Sequence, residues 1–273
     1  AYLYAKTVTL GRTHWSDTNR VMLRNRRIGC SVSGIAQFIT NRGIDELRTW
    51  LEEGYDTIQD WDKEYSDWFA IPKSIKTTSV KPSGTVSLLA GATPGLHYPE
   101  SRFYTRRIRL SINSELVEPL KKAGYKIEPA FGSEESTLVV EIPVDVGEGI
   151  RTASELTIWE QFSIAAFLQR HWADNQVSCT VTFDPEKEGE QIPHVLNYYQ
   201  YHLKGISLLP RHDYGAYKQM PYEAIEEKEY NKQVKKLGKL SFGVIKNEEA
   251  EVDKFCNNES CEIPGLTEVE ENS

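Results

Sequence analysis

Cysteine is scarce in this 273-residue chain, methionine scarcer, and no apolar run approaches the length of a membrane span. The four cysteines, Cys30, Cys179, Cys256 and Cys261, are too few for a secreted disulfide scaffold of this size. No secretory signal is visible either, so a reducing, cytoplasmic compartment is expected. Positive charge is in deficit: 32 Lys and Arg stand against 40 Asp and Glu, for a net charge of -8 and a pI near 5.4. That balance excludes a general nucleic-acid surface and fits a cytosolic enzyme or subunit. H-E-x-x-H, the Walker loop, G-x-G-x-x-G and G-x-S-x-G are all missing, which weakens hydrolase and nucleotide-fold readings. His171, His194, His202 and His212 are scattered and make no ligand pair at helical spacing. The first residue is Ala1 rather than Met, which raises the expectation of a fragment, a processed product or part of a longer reading frame.

What is present is a soluble, globular composition, 39% hydrophobic and 26% charged, long enough for one large domain or two small ones. The chain is organised around Lys81-Pro82-Ser83-Gly84-Thr85-Val86-Ser87, which reads as a strand end, a tight turn and a short helix. Pro82 suits the turn because its ring fixes φ and it has no N–H to leave unpaired. Ser83 or Thr85 can cap the helix, and Gly84 lets the backbone approach a ligand closely. Val86, Leu88 and Leu89 are expected to pack the helix down. Main-chain amides and a helix N-terminus would then converge on one spot, which suits a phosphate. An ordinary capped turn reads the same way from sequence.

Around that stretch, strands alternate with helices, so the class is α/β. The first seventy residues read as helical, with Leu3, Val8 and Leu10 opening an apolar stripe and Ser16-Asp17 a start signal. Leu47, Leu51, Ile58, Trp61, Tyr65 and Trp68 continue the helical spacing, and the aromatics among them read as core. Residues 75–80, 103–111, 137–142 and 176–183 read as strands, the third closed by Pro143. Residues 115–123, 155–171 and 192–203 read as helices, 205–209 as extended, and 222–230 as a surface helix. Arg106, Arg107 and Arg109 on the 103–111 strand could meet phosphates, although a solvated strand face is the commoner outcome. From Asn247 onward acidic and polar residues dominate, as in a mobile tail. In that tail Cys256 and Cys261 stand five positions apart, a spacing that closes a small disulfide ring and permits exchange with other thiols. Incidental cysteines are the competing reading, and a zinc pair would need two further ligands that no nearby Cys or His supplies. Cys30 and Cys179 lie in apolar settings and read as small buried hydrophobes. His97, after Pro94-Gly95-Leu96, lies outside any regular helix and could face a site or cap a turn.

Several stretches occur in one order: Asn25 to Gly29 with Gly34-Ile35, Lys81 to Leu89, Pro94 to Tyr98, Asp174 to Ser178, Lys204 to Pro210, Gln219 to Glu223, and the terminal Cys-x4-Cys. This order resembles the C-terminal part of the adenosylcobalamin-dependent (class II) ribonucleotide reductases, of the monomeric ribonucleoside-triphosphate reductase type. The resemblance covers nearly the whole chain and implies the C-terminal part of a ten-stranded α/β barrel. It implies that Pro82, Ser83, Gly84, Thr85, Val86 and Ser87 hold the phosphates of a ribonucleoside triphosphate. It makes Cys256 and Cys261 a thiol shuttle, reduced by thioredoxin. It also implies adenosylcobalamin contacts in roughly 91–149 and 210–249, for which Gly91, Pro94, Gly95, His97, Pro210, Tyr217 and Pro221 are the candidates. The domain expectation is 1–245 for the barrel part and 246–273 for the mobile redox tail.

The sequence also departs from the family's pattern. The Asn-Pro-Cys-Gly-Glu motif of the radical cysteine is not found, nor is the active-site cysteine pair that the tail would reduce. The resemblance therefore implies an N-terminal portion as a necessary partner and a fragment inactive alone. A lower-ligand histidine is not indicated, because there is no D-x-H-x-x-G, and no metal site is expected. Two alternatives stand beside this reading: a class I-type large-subunit fragment, for which Tyr198-Tyr199 has the wrong context, and a nucleotide-binding domain without chemistry of its own.

Overall fold

A computed structural model describes residues 1–84, 86–211 and 218–241 of the chain. Thr85, residues 212–217 and residues 242–273 lie outside the described residues, and with them Tyr217, Cys256, Cys261 and the expected redox tail. Two compact units divide the chain: Ala1–Pro99 with Gly149–His212, and Glu100–Glu148 with Asp213–Ser273. No helix among the described residues is long and apolar enough to cross a membrane.

The first unit is built on extended segments running side by side in parallel. Residues 28–30 lie beside 76–80, bridged at Cys30 and Thr78, and 80 bridges to 177. Next in order, β4 (Thr180–Phe183) pairs in parallel with β5 (Ser207–Pro210). Parallel neighbours need long crossovers, and helices supply them. α3 (Ile35–Arg42) and α4 (Ile44–Phe69) return the chain from the first segment, while α7 (Ile158–His171) leads into the third. α8 (Pro185–Glu188) and α9 (Ile192–Tyr199) lead into the last, and α1 (Tyr2–Val8) and α2 (Ser16–Asn25) precede them all. Strands covered by helices carry apolar residues: Val80, Val177, Val181 and Phe183 are buried with Leu47, Leu51, Ile158, Phe162 and Leu168. Each such side chain contributes about 1.5–3 kcal/mol against exposure.

Short parallel segments leave main-chain groups beyond the ladder, and side-chain amides take these up. Gln161 accepts from Thr182 N–H (3.0 Å) and donates to its carbonyl (2.8 Å). Gln169 donates to the carbonyls of Ala173 and Asn175 and accepts from Val177 N–H. Asn175 Nδ2 donates to Ile28 O and Thr78 O, both at 2.7 Å, tying two segments together.

Four expectations change in this unit. α1 turns Tyr2, Lys6 and Thr9 inward, whereas Leu3, Val8 and Leu10 are exposed. The reason is polar: Lys6 Nζ meets Asp62 Oδ1 at 2.6 Å, an ion pair that dictates the rotation of the helix. α4 accordingly buries Leu47, Leu51, Asp62 and Ser66, at helical spacing, and leaves Trp61 and Trp68 exposed. Rather than entering the core, Trp61 stacks on Tyr65 at a centroid distance of 5.1 Å, and Trp68 meets the same ring tilted, at 5.4 Å. α7 starts at Ile158 instead of residue 155, because Thr157 and Glu160 form a capping box there. The strand expected over 176–183 narrows to β4, with Val177 held by its single bridge.

The second unit is an antiparallel sheet in which β2 (Lys126–Pro129), β3 (Thr137–Asp145), β1 (Phe103–Ser111) and β6 (Tyr222–Ala224) lie side by side in that order. β1 (Phe103–Ser111) has the expected bounds and pairs with β3 (Thr137–Asp145), Arg107 opposite Glu141. β2 (Lys126–Pro129) flanks β3, and α6 (Val117–Lys122) buries Val117 and Leu120 against Leu110 and Val140. Gly124 ends that helical segment at φ 86°, where a Cβ would lie 2.7 Å from Lys236 O.

Pro143 does not close β3; it pairs with Thr105 inside it. Arg107 N–H points away from β3, to Pro221 O, and Thr105 two residues along shares that orientation. Pro143 N therefore faces the other flank, beyond the last β2 pair at Glu141, where a missing N–H costs no ladder bond. Residues 222–230 are not one helix. Tyr222–Ala224 forms β6 against β1, and α10 (Glu227–Val234) follows. The arginines are not on a solvated face either: Arg106 and Arg109 are 3% and 8% exposed. Arg106 lies over the Tyr222 ring at 4.4 Å, and Arg107 pairs with Glu141 and Glu223.

Candidate functional site

Ligands of parallel α/β folds collect at the carboxyl ends of the strands. Here the segment ending at Val80 delivers Lys81-Pro82-Ser83-Gly84, and the segment ending at Cys30 delivers Ser31 to Gly34. The two turns are joined. Ser31 Oγ accepts from Lys81 N–H at 2.9 Å. After the turn, α5 (Val86–Leu89) makes one helical turn, and Ser87 N–H donates to Ser83 O at 3.2 Å. Ser87 Oγ donates to the same carbonyl.

This geometry alters the site drawn from sequence. One of the amides expected to face an anion, that of Ser87, is spent on Ser83 O. α5 has only four residues, so its dipole adds little, and hydroxyls and turn amides must carry any anion recognition. Val86 is 69% exposed and does not pack the helix down; Ser87 is buried in its stead. The left-handed residue of the turn is Ser83, at φ 55°. Pro82, Ser83 and Gly84 are partly exposed at the surface of the unit.

The Gly91–His97 loop packs on this turn. Gly95 has φ 52°, and a Cβ there would stand 2.4 Å from Lys81 O and 3.4 Å from Pro82 O. Only glycine permits that approach. Gly95 N–H donates to Ser33 Oγ (3.4 Å), and Gly34 N–H to Thr93 O (2.8 Å). Pro94 O accepts from His97 N–H at 2.9 Å. Thr180 N–H donates to His97 Nε2 at 3.2 Å, so Nδ1 carries the proton and donates to Pro94 O at 3.3 Å. Burial pushes the imidazole pKa down, against that bond to Pro94, and favours the neutral ring. Both ring nitrogens are thus engaged within the chain.

The structure brings Pro82, Ser83, Gly84, Gly91, Pro94, Gly95 and His97 together in the first unit. Pro210 closes β5 in the same unit, opposite Phe183. Pro221 belongs to the second unit, where its carbonyl accepts from Arg107 N–H and from Arg106. Burial pushes the Cys179 thiol up to about 12 and raises Cys30 as well, which keeps both as unreactive thiols. Ser31, Ser33 and Gln37 were not anticipated as part of this region. Ser31 and Ser33 are marked in the sequence by a small polar run before α3, whereas Gln37, within α3, carries no such mark.

No protein-family model matches the chain. It is 58% identical over 268 residues to a probable adenosylcobalamin-dependent ribonucleoside-triphosphate reductase of Dictyostelium discoideum, a match covering 96% of this chain and 35% of that protein. It is 56% identical over 266 residues to the adenosylcobalamin-dependent ribonucleoside-triphosphate reductase of Euglena gracilis, covering 96% and 36%. The corresponding enzyme of Levilactobacillus brevis is 36% identical, covering 84% of this chain and 34% of that one. A crystal structure of a B12-dependent (class II) ribonucleotide reductase superposes with a TM-score of 0.76 at 34% identity, over 87% of this chain and 37% of that one. The fold is thus the α/β fold of a ribonucleotide reductase portion. The chain belongs to the adenosylcobalamin-dependent, class II ribonucleotide reductases, and it spans about a third of the length of the curated relatives it matches.

Proposed function

We propose that this chain is the C-terminal portion of an adenosylcobalamin-dependent ribonucleoside-triphosphate reductase, bringing the substrate-phosphate turn, cofactor contacts and the thiol shuttle. The observation that supports the phosphate site is the placement of Lys81 to Gly84 at the carboxyl end of a parallel segment, with Ser31 bonded to Lys81 and Gly95 against the carbonyls of Lys81 and Pro82. In this reading the hydroxyls of Ser83 and Thr85, with turn amides, hold the charged end of a ribonucleoside triphosphate, and the sugar is presented to a radical cysteine outside this sequence.

Adenosylcobalamin, when bound, supplies the radical that starts the reduction. The residues present fit such a cofactor in two respects. His97 has both nitrogens engaged, which agrees with a cobalamin that keeps its own base and asks no histidine of the protein. The stretches 91–149 and 210–249 assigned to cofactor contacts largely coincide with the second unit, Glu100–Glu148 and Asp213–Ser273. Of the candidates for cofactor contact, Pro221 falls in the second unit, and Tyr217 lies outside the described residues.

Cys256 and Cys261 complete the proposal. One thiolate attacks the disulfide left by turnover, forming a mixed disulfide and expelling one thiolate. The second tail thiolate then resolves the mixed disulfide, so two electrons pass to the active site and the tail is left as a disulfide for thioredoxin to reduce. A thioredoxin lacking its resolving cysteine should form a mixed disulfide with Cys256 or Cys261, visible as a band lost on adding reductant. No adduct would favour a nucleotide-binding domain with idle cysteines. Cobalamin-dependent turnover on joining the remaining portion separates this proposal from a class I-type fragment.

The phosphate site has its own test. Gly84→Asp places a carboxylate beside the phosphates, and at an effective dielectric near 20 and roughly 4 Å the repulsion is about 4 kcal/mol before relaxation. A substrate KM raised by roughly tenfold or more is expected in the reconstituted reductase. An unchanged KM would remove the assigned site.

A further inference from the structure

Gln37 lies on the first turn of α3, and its side-chain amide grips the loop behind the phosphate turn from both ends. Its Nε2 donates to Gly91 O at 3.0 Å, and its Oε1 accepts from Thr93 N–H at 2.8 Å. Thr93 is 1% exposed, so an unpaired N–H there would have no water to turn to. The start of α3 adds two bonds to the same loop, Gly34 N–H to Thr93 O (2.8 Å) and Ile35 N–H to Gly95 O (3.4 Å). Gly95 then abuts the carbonyls of Lys81 and Pro82. An unbroken chain of contacts therefore runs from Gln37 through Gly91 and Thr93 to Gly95 and into the turn.

We infer that Gln37 is a positioning residue for the substrate-phosphate turn, acting through the Gly91–Gly95 loop. The inference rests on the proposed phosphate site. A single planar amide donates to the loop from Nε2 and accepts from it at Oε1, two atoms held a fixed distance apart, and so sets the distance of the loop from α3. The loop's distance from α3 in turn decides how closely Gly95 seats against Lys81 O. The bonds of Gln37 go to the main chain of Gly91 and Thr93, so its removal should loosen the turn through the loop.

The test compares Gln37→Ala with Gln169→Ala, which removes a similar main-chain clamp from the amino-terminal end of β4. Amide hydrogen exchange of the 91–95 segment is followed in this chain, and KM and kcat in the reductase reconstituted with its remaining portion. Gln37→Ala should speed exchange at Thr93 by about 100-fold and raise substrate KM by about tenfold, with kcat within about twofold. Gln169→Ala should leave KM unchanged. Gln37→Glu keeps the acceptor for Thr93 N–H and loses the donor to Gly91 O, so its KM should fall between, and it serves if the alanine variant does not fold. Unchanged exchange in the loop, unchanged KM, or an equal rise in KM with Gln169→Ala would each overturn the inference. If Gly84→Asp raises KM and Gln37→Ala does not, the phosphate site stands and the role of Gln37 falls. If neither raises it, the site itself is lost.

Discussion

Gly95→Ala is expected to destabilise the first unit by roughly 2–4 kcal/mol and to weaken substrate binding with it. Two effects add. At φ 52° an alanine sits in the left-handed region, at a cost of roughly 1–2 kcal/mol. Its methyl carbon would then stand 2.4 Å from Lys81 O and 3.3 Å from Lys81 C, inside any real contact distance. The obstructing atoms are backbone, so no side chain can swing aside; either the loop lifts away or the turn shifts. Gly91→Ala is the natural comparison, since Gly91 has φ 62° but open space around its Cβ position. It should cost only the conformational part, on the order of 1 kcal/mol. Urea midpoints of the two variants measure the difference, and equal losses would mean that Gly95 is not packed on the turn as described.

Asp62→Ala should cost about 3–5 kcal/mol, because it strands a buried ammonium. Lys6 has no exposed side-chain surface, and its Nζ has Asp62 Oδ1 at 2.6 Å, with Ser74 Oγ and Pro72 O as lesser partners. Tyr2 OH donates to the same carboxylate oxygen at 2.6 Å, and Ser74 N–H reaches both oxygens. Replacing the pair together, Lys6→Met with Asp62→Leu, should recover most of the loss, since desolvating two charges offsets much of their attraction. If the double variant is as unstable as Asp62→Ala, the ion pair is not the source of the loss.

The pair also sets a pH dependence. Burial pushes the Asp62 carboxyl up, but the bonds from Lys6 and Tyr2 and the Lys6 charge outweigh it and hold the carboxyl below its usual 3.8. A depressed carboxylate contributes stability that is fully present above the unfolded value and lost as pH falls through the folded one. Unfolding midpoints should therefore drop below about pH 4 in the parent chain, and less steeply in the double variant.

Local patterns read correctly where a residue's neighbours in sequence are also its neighbours in space. β1 shows its β-branched and aromatic alternation and has the bounds expected of it. The Lys81 to Leu89 stretch shows its turn chemistry, and the helix expected over 115–123 is stopped by Gly124, as its left-handed φ requires. α1 reads as a helix but hides which face turns inward, because Lys6 chooses its partner 56 residues away. Pro143 argues for a strand end only until the extent of β2 is known. Residues 222–224 look helical until β1 offers them an edge. The buried arginines are likewise decided by Tyr222 and Glu141, not by the strand that bears them.

By itself, then, the sequence determined the α/β class, the turn at Pro82 to Gly84, the family, and the inert character of Cys30 and Cys179. These follow from backbone stereochemistry, hydrophobic patterning and motif order, all carried by residues close together along the chain. Tertiary structure alone decided the rest of the site: the seat of Gly95 on Lys81, the grip of Gln37 on the loop, and the engagement of both His97 nitrogens. A buried polar group takes whatever complementary atom the fold brings to it, and these partners lie between 3 and 83 residues away along the chain.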